Sequence, residues 1–94
     1  MRIRWLDQAV ADLVAVRNYI AQDNPSAASE VAQSIRQAVA ILTDYPAAGR
    51  SGRVPNTREL MVTGTAYILP YRVRGGVVEI LRVLHGARKW PEKF

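Results

Sequence analysis

The sequence has 94 residues, which is enough for one domain with one hydrophobic core, spanning residues 1–94, and excludes a second catalytic domain. Apolar residues form 49% and charged residues 22% of the chain, as in folded proteins, and the absence of cysteine excludes disulfides and thiolate zinc sites. With a net charge of +5 and one histidine, we expect an anionic partner and neither a metal nor another cofactor.

The first segment predicts a short strand followed by a helix. In MRIRW, Ile3 and Trp5 fall on the same side of an extended chain, which is typical of a strand. Asp7 is the predicted N-cap of a helix over about residues 7–22. Apolar residues recur there at helical spacing and form one stripe: Ala9, Val10, Leu13, Val14, Val16 and Ile20.

A second helix is predicted directly after the first. Asn24 can cap its start, and Pro25 suits the first helical position because an N–H would have no intrahelical partner there. The apolar spacing continues to Asp44, after which Tyr45-Pro46 ends the helix. Two helices joined by so short a turn lie antiparallel, so the sequence predicts an αα-hairpin.

The rest of the chain predicts a basic loop and a three-stranded antiparallel meander. Residues 47–56, AAGRSGRVPN, combine glycine, proline and two arginines, as is typical of a loop. Three strand-like runs follow: TRELMVT, AYILPYRVR and VVEILRVL. Gly75-Gly76 between the last two favours a type I′ turn, since both central positions of this turn need a positive φ.

The glycine turn fixes the pairing of the last two strands. Arg72 then lies opposite Glu79, and Ile68 lies opposite Val83. Arg82 would fall on the more apolar face of this pair. That position suits a long cation poorly, so we expect either a bulge or a side chain that reaches the rim.

The two faces of the meander differ in hydrophobicity. One face of the central run carries mainly apolar side chains: Tyr67, Leu69, Tyr71 and Val73. We expect the helices to cover this face and to leave the Arg72 face open as a candidate binding surface. The elements together predict an α+β fold with the helices on one face of the sheet.

Most of the positive charge lies in the second half of the sequence. Residues 1–47 contain four arginines and five acidic residues, a net charge of −1, whereas residues 48–94 contain nine basic and three acidic residues, a net charge of +6. A one-sided basic surface attracts nucleic acid, a nucleic-acid enzyme or an acidic protein chain. No stretch reaches the roughly 18 apolar residues of a membrane span, so we expect a cytoplasmic protein without membrane contact.

Three groups of short sequence motifs follow one another along the chain. They are ADL with YIAQDNPSAA in the helices, GRSGRV with TRELMV around the basic loop, and YILPYRVRGGVVEILRVLHGAR in the meander. In this order and spacing they resemble the RelE/ParE superfamily of bacterial toxins from type II toxin–antitoxin modules. The similarity runs from about Trp5 to Trp90, nearly the whole chain, and implies the same α+β fold.

The resemblance implies a toxin that inhibits bacterial growth and stabilises plasmids. A cognate antitoxin is expected to silence it by wrapping the helical hairpin and the sheet. ParE-like members poison DNA gyrase, whereas RelE-like members are ribosome-dependent endonucleases that cut mRNA. The expected partners are therefore the antitoxin and either gyrase or the ribosome with mRNA.

A nuclease would need side chains for proton transfer and for stabilising the phosphorane. Metal-free cleavage deprotonates the 2′-hydroxyl and protonates the leaving 5′-oxygen, while cations stabilise the charge that develops between them. In this interpretation His85 transfers protons, and arginines stabilise the phosphate: Arg58, Arg72 and Arg88. A purely structural interpretation stays open, in which His85 only ends a strand and Arg72 pairs with Glu79.

One position departs from the mRNA-cutting branch, whose second hairpin strand resembles Y-R-L-V-Y-R with a phosphate-facing arginine. Here the word is YILPYR, and Ile68 stands at that place. Because isoleucine cannot stabilise a phosphorane and RVLH resembles the gyrase-poisoning members, we favour a ParE-like function, with the RelE-like nuclease as the alternative. A basic rim would then bind the target: Arg50, Arg53, Arg58, Arg88, Lys89 and Trp90.

Overall fold

The computed structural model describes residues 1–94 and contains two helices and six strands. The helices are α1, Asp7–Ala21, and α2, Pro25–Ile41. The strands are β1, Arg2–Trp5; β2, Arg50–Ser51; β3, Arg58–Met61; β4, Tyr67–Arg74; β5, Val77–Ile80; and β6, Leu84–His85. They form one sheet in the order β1-β5-β4-β3-β2, and β6 pairs with β4. The predicted α+β architecture is confirmed.

Local sequence chemistry explains the helix ends. Asn24 Oδ1 accepts a hydrogen bond from Ala27 N at 3.1 Å, which confirms the predicted cap of α2. The predicted cap of α1 is wrong, because Asp7 lies inside the first turn, where its charge complements the helix dipole. Helix α2 ends at Ile41, earlier than expected, because residues 42–44 continue in tighter turns. Neither helix is long and apolar enough to cross a membrane.

The glycine turn has the predicted geometry and register. Gly75 and Gly76 have φ angles of 56° and 75°, as a type I′ turn requires. Arg72 pairs with Glu79 across β4 and β5, as expected. Strand β1 pairs in parallel with β5 and forms one edge of the sheet. The two segments are far apart in the chain, so no local pattern predicts this last pairing.

The pairing slips by one residue between β5 and β6. Ile68 lies opposite Leu84, whereas uninterrupted pairing from the glycine turn would place it opposite Val83. Leu81 N still donates to Pro70 O at 2.9 Å, so the extra residue lies beyond this bond. This insertion is a bulge, one of the two outcomes expected from the position of Arg82, and it moves every later side chain to the other face of the sheet.

The helices pack on the predicted face of the sheet. Leu69 on β4 is 0% exposed, and full burial of such a side chain contributes about 1.5–3 kcal/mol. The buried core joins both helices to the sheet and consists of Ala9, Ile35, Val39, Leu42, Val62, Leu69, Tyr71, Val78, Ile80 and Val83.

The expectation that the opposite face is open is wrong in part. Ile68, Pro70 and Leu81 lie on that face and are buried. Residues after β6 cover them, and Phe94 lines a cavity together with Leu81. An open face would leave these apolar side chains in water, and covering them is favourable because it removes their apolar surface from water. The part of this face beside the glycine turn is exposed.

Candidate functional site

The basic loop is organised around a buried carboxylate. Glu59 on β3 is 2% exposed, and its Oε1 accepts hydrogen bonds from Arg50 Nε at 3.3 Å and Nη2 at 3.0 Å. Its Oε2 accepts the backbone N–H of Arg53 at 2.7 Å. Since a buried carboxylate is tolerated only when its oxygens are satisfied, Glu59 fixes the loop that carries both arginines.

Arg53 connects the basic loop to the chain after β6. Its guanidinium lies 3.9 Å from the centre of the Trp90 ring, a cation–π contact. Trp90 Nε1 in turn donates to His85 O at 3.2 Å. The Arg53 side chain is 48% exposed, so the stacked pair presents a cation and an aromatic ring to solvent. Arginine and tryptophan are enriched at the energetically dominant positions of interfaces.

Arg58 and Tyr71 hold the chain just before β2. Arg58 Nη1 donates to Gly49 O at 2.9 Å. The buried Tyr71 hydroxyl donates to Pro46 O at 2.7 Å and accepts from Gly49 N at 2.8 Å. A Cβ atom added at Gly49 would lie 2.6 Å from Tyr71 Cε1, so only glycine fits there. With both hydrogen-bonding positions occupied, the Tyr71 hydroxyl has a structural role.

His85 and Arg88 line a cavity of 430 Å³ between α1 and the end of the sheet. His85 lies opposite Tyr67 on β4, and the two rings pack edge to face with centroids 5.6 Å apart. Lys89 and the exposed Tyr19 of α1 line the same cavity. The cavity thus combines two cations with aromatic side chains.

The imidazole of His85 already has one nitrogen engaged. Its Nδ1 accepts the backbone N–H of Ala87 at 3.1 Å, so the neutral ring carries its proton on Nε2. In this state Nε2 is a donor and cannot accept a proton. For His85 to act as a general base, its ring would have to leave Ala87.

The predicted site residues do not share one surface. Cross-strand partners lie on the same face, so His85 lies with Tyr67 on the face that the helices cover. Arg50 and Arg72 lie on the other face, where Arg72 Nε donates to Glu79 Oε1 at 2.7 Å. Without the slip before β6, His85 would have fallen on the Arg72 face. The bulge therefore separates the imidazole from these arginines.

Comparison with known proteins identifies the family. The family model described as ParE toxin of the type II toxin-antitoxin system, parDE, matches residues 3–90. The chain belongs to this ParE toxin family. It is therefore the toxin of a type II toxin–antitoxin system, and an antitoxin is its partner.

Individual relatives agree with the family assignment. Toxin Y4kP of Sinorhizobium fredii is 45% identical over 91 residues, which cover 97% of this chain and 94% of that one. Toxin RelE2 of Caulobacter vibrioides is 39% identical over 87 residues, covering 93% and 97%. A solved structure of the chromosomal ParDE TA system from P. aeruginosa matches with a TM-score of 0.81 at 32% identity, covering 90% of this chain and 95% of that chain. The superfamily and fold expected from the sequence are confirmed.

This ParE-family toxin also carries a group of four arginines, of which only Arg72 was among the predicted site residues. Arg2 and Arg4 are exposed on β1, and β5 alone separates them from Arg72 and Arg74 of β4. We refer to these four residues as the arginine patch. The alternation in MRIRW already places Arg2 and Arg4 on one side of a strand, but only the parallel pairing of β1 with β5 brings them beside β4.

Glu79 lies inside the arginine patch and ionises more readily than a free glutamate. The hydrogen bond from Arg72 lowers the pKa of Glu79 below its ordinary value of 4.5. Burial opposes this effect, and the charges of Arg74, Arg72 and Arg4 reinforce it. No group of three or more His, Asp or Glu side chains in the toxin is placed to hold a metal ion.

Replacing Glu79 by glutamine is expected to make the stability of the toxin less dependent on pH. Because the pKa of Glu79 is lower in the folded than in the unfolded chain, its ionisation stabilises the fold above pH 4.5, and this contribution disappears as the pH falls through the folded pKa. Urea unfolding is measured at pH values from neutral to below 4.5. As the pH falls, the free energy of unfolding of the wild type should approach that of Glu79→Gln. Exposed Glu30, changed to glutamine, is the control, and a stability difference independent of pH would contradict the expectation.

Proposed function

We propose that this toxin inhibits DNA gyrase by binding to it and does no covalent chemistry of its own. The observation that carries the proposal is that the sheet separates His85 from Arg50 and Arg72. Metal-free RNA cleavage needs proton-transfer groups and cations around one phosphate, and side chains on two faces of a sheet cannot meet there. Arg58 shares the His85 face, but it pairs opposite Tyr71, about 13 Å along β4 from the partner of His85.

Ile68 supports the same conclusion. The resemblance to mRNA-cutting members places a phosphate-facing arginine at this position, whereas Ile68 is 6% exposed. Its Cδ1 would lie 3.2 Å from a Cβ atom added at Gly86, so the side chain is packed against the chain after β6. A buried aliphatic side chain offers a phosphate no stabilisation.

The basic rim supplies the surface for gyrase. Arg53 and Trp90 form its rigid centre, because Glu59 holds the loop and the ring lies against the guanidinium. Arg88 and Lys89 extend it as exposed cations. Such a surface steers an anionic partner and provides an aromatic anchor, and it requires no proton transfer.

The antitoxin is expected to occupy the helical hairpin. Val10 and Val14 on α1 are 47% and 52% exposed and lie one helical turn apart, which makes a short apolar strip. An apolar segment of the antitoxin would remove this strip from water. Docking there leaves the toxin's basic rim as a separate surface for acidic residues of the antitoxin.

Ribosome-dependent mRNA cleavage is the second candidate function. It is favoured by the cavity in which His85 lies near Arg88 and Lys89, and by the name RelE2 of the Caulobacter relative. In this case Arg88→Ala would abolish cleavage while the fold persisted.

One experiment separates the two functions. Purified toxin is added to gyrase in a DNA supercoiling assay, and mRNA 5′ ends are mapped after brief induction of the toxin in cells. We expect inhibited supercoiling and intact mRNA. Codon-phased mRNA ends together with normal supercoiling would replace gyrase inhibition by the nuclease function.

Replacing Arg53 by glutamine is expected to weaken gyrase inhibition about tenfold, equivalent to about 1.4 kcal/mol of binding. The change removes the cation that stacks on Trp90 and leaves the hydrogen bond from the Arg53 backbone to Glu59 in place. The half-inhibitory toxin concentration in the supercoiling assay measures the effect. Arg36→Gln, an exposed position on α2, is the matched control, and an equal loss in both variants would show that only net charge matters.

A further inference from the structure

The arginine patch lies on the face of the sheet away from the helices. One row crosses three strands from Arg4 through Glu79 to Arg72, and the next row holds the other two arginines on either side of Val77. The strand spacing sets the two columns of arginines about 9.6 Å apart, and the two arginines of a column about 6.6 Å apart. Hydrogen-bonded strands fix these backbone positions, so the four arginines project from a rectangular base of fixed size.

The patch carries more positive charge than its own carboxylate neutralises. Glu79 Oε1 lies 2.7 Å from Arg72 Nε and 3.1 Å from Arg74 Nε. Arg2 and Arg4 belong to none of the salt bridges of the chain. Four cations against one anion leave three uncompensated charges, and like charges at this range repel. An anionic ligand would relieve the repulsion.

The surroundings of the patch favour a duplex phosphate backbone over other anions. A protein partner normally buries apolar anchors as well, and the 510 Å³ cavity among the arginines has only Ile3 and Val77 as apolar lining. Single-stranded nucleic acid is held by bases stacked on aromatic rings, and no aromatic side chain lines this cavity. A duplex offers closely spaced phosphates on two rigid strands and needs neither feature.

We propose that the arginine patch binds the phosphate backbone of duplex DNA without regard to sequence. Guanidinium groups suit this ligand because each can direct two N–H groups at phosphate oxygens. The choice of DNA as the duplex rests on the proposed function, since the toxin would act on gyrase engaged with its DNA. The patch shares its sheet face with Arg50 of the basic rim, so the two surfaces can contact DNA and enzyme together.

The test is a salt titration of the affinity of purified toxin for a fluorescein-labelled DNA duplex of mixed sequence. Each phosphate contact contributes about 0.9 to the slope of log K against log salt, so Arg2→Gln/Arg4→Gln should lower that slope by about 1.8. A fourfold rise in salt should then weaken the wild type about twelvefold more than this variant. Arg17→Gln/Arg36→Gln removes the same charge from exposed helix positions and should keep the wild-type slope.

Several results would overturn the proposal. One is an unchanged slope in Arg2→Gln/Arg4→Gln, provided that its thermal unfolding matches the wild type; another is an equal reduction in the helix variant. Tighter binding of a single DNA strand, of duplex RNA, or of polyglutamate of matched charge would each overturn the choice of ligand. The salt titration measures DNA binding without gyrase, whereas the Arg53 experiment measures only the inhibition of gyrase. Failure of the DNA-binding proposal is therefore distinguishable from failure of the proposed gyrase inhibition.

Discussion

Replacing Asp12 by alanine should lower the free energy of unfolding by about 3 kcal/mol. The Asp12 carboxylate on α1 accepts Arg82 Nε at 2.7 Å, Arg82 Nη2 at 3.2 Å and Val83 N at 3.0 Å. The two side chains are 13% and 26% exposed, so water replaces these bonds poorly. Alanine would leave a largely buried guanidinium and a backbone N–H without partners, at the bulge that leads into β6. Urea unfolding followed by circular dichroism measures the loss.

A double-mutant cycle separates the ion pair from general damage to α1. Removing both charges leaves no buried cation behind, so Asp12→Ala/Arg82→Met should be less destabilised than the sum of the single variants, by about 0.5–3 kcal/mol. Asp23→Ala, at an exposed position after α1, should change stability by less than about 0.5 kcal/mol. If Asp12→Ala cost no more than Asp23→Ala, the carboxylate would not be holding the bulge.

Elements with local signals were predictable from the sequence. The αα-hairpin follows from apolar spacing with Asn24 and Pro25 at the second helix start, and the β4–β5 hairpin follows from two glycines that adopt positive φ. The parallel pairing of β1 with β5 was not predictable, because its contacts join the two ends of the chain. The covering of Ile68 and Leu81 was missed for a similar reason, since the residues after β6 have no periodic pattern.

The candidate site was harder to predict than the fold because it depends on a one-residue shift in the pairing of β6 with β4. The sequence identifies Arg72 as the partner of Glu79, and the structure confirms this pair at 2.7 Å. The face on which His85 lies, however, is decided by the bulge, and the bulge is stabilised by Asp12 on a distant helix. The charge of −1 in the first half also concealed Arg2 and Arg4, which join the basic face only through the sheet. Residue types carry the chemistry, whereas tertiary pairing decides which of them meet.

Replacing Glu59 by alanine is expected to cost about 1–3 kcal/mol of unfolding free energy and to loosen the basic loop. The 2% exposed carboxylate holds Arg50 through its guanidinium and Arg53 through its backbone N–H, so alanine leaves a part-buried backbone donor without an acceptor. Chemical denaturation gives the stability loss, and amide hydrogen exchange at Arg53 should become faster.

The stability and the amide exchange of Glu59 variants test whether the carboxylate orders the basic loop. Glu59→Gln keeps one acceptor oxygen but places an amide donor toward the arginines, so it should recover only part of the stability. Exposed Glu30→Ala on α2 should leave the exchange at Arg53 unchanged. Unaltered exchange in Glu59→Ala would mean that Arg53 is held by its contact with Trp90 and not by Glu59. In that case the rigidity of the basic rim would originate in the chain after β6 rather than in β3.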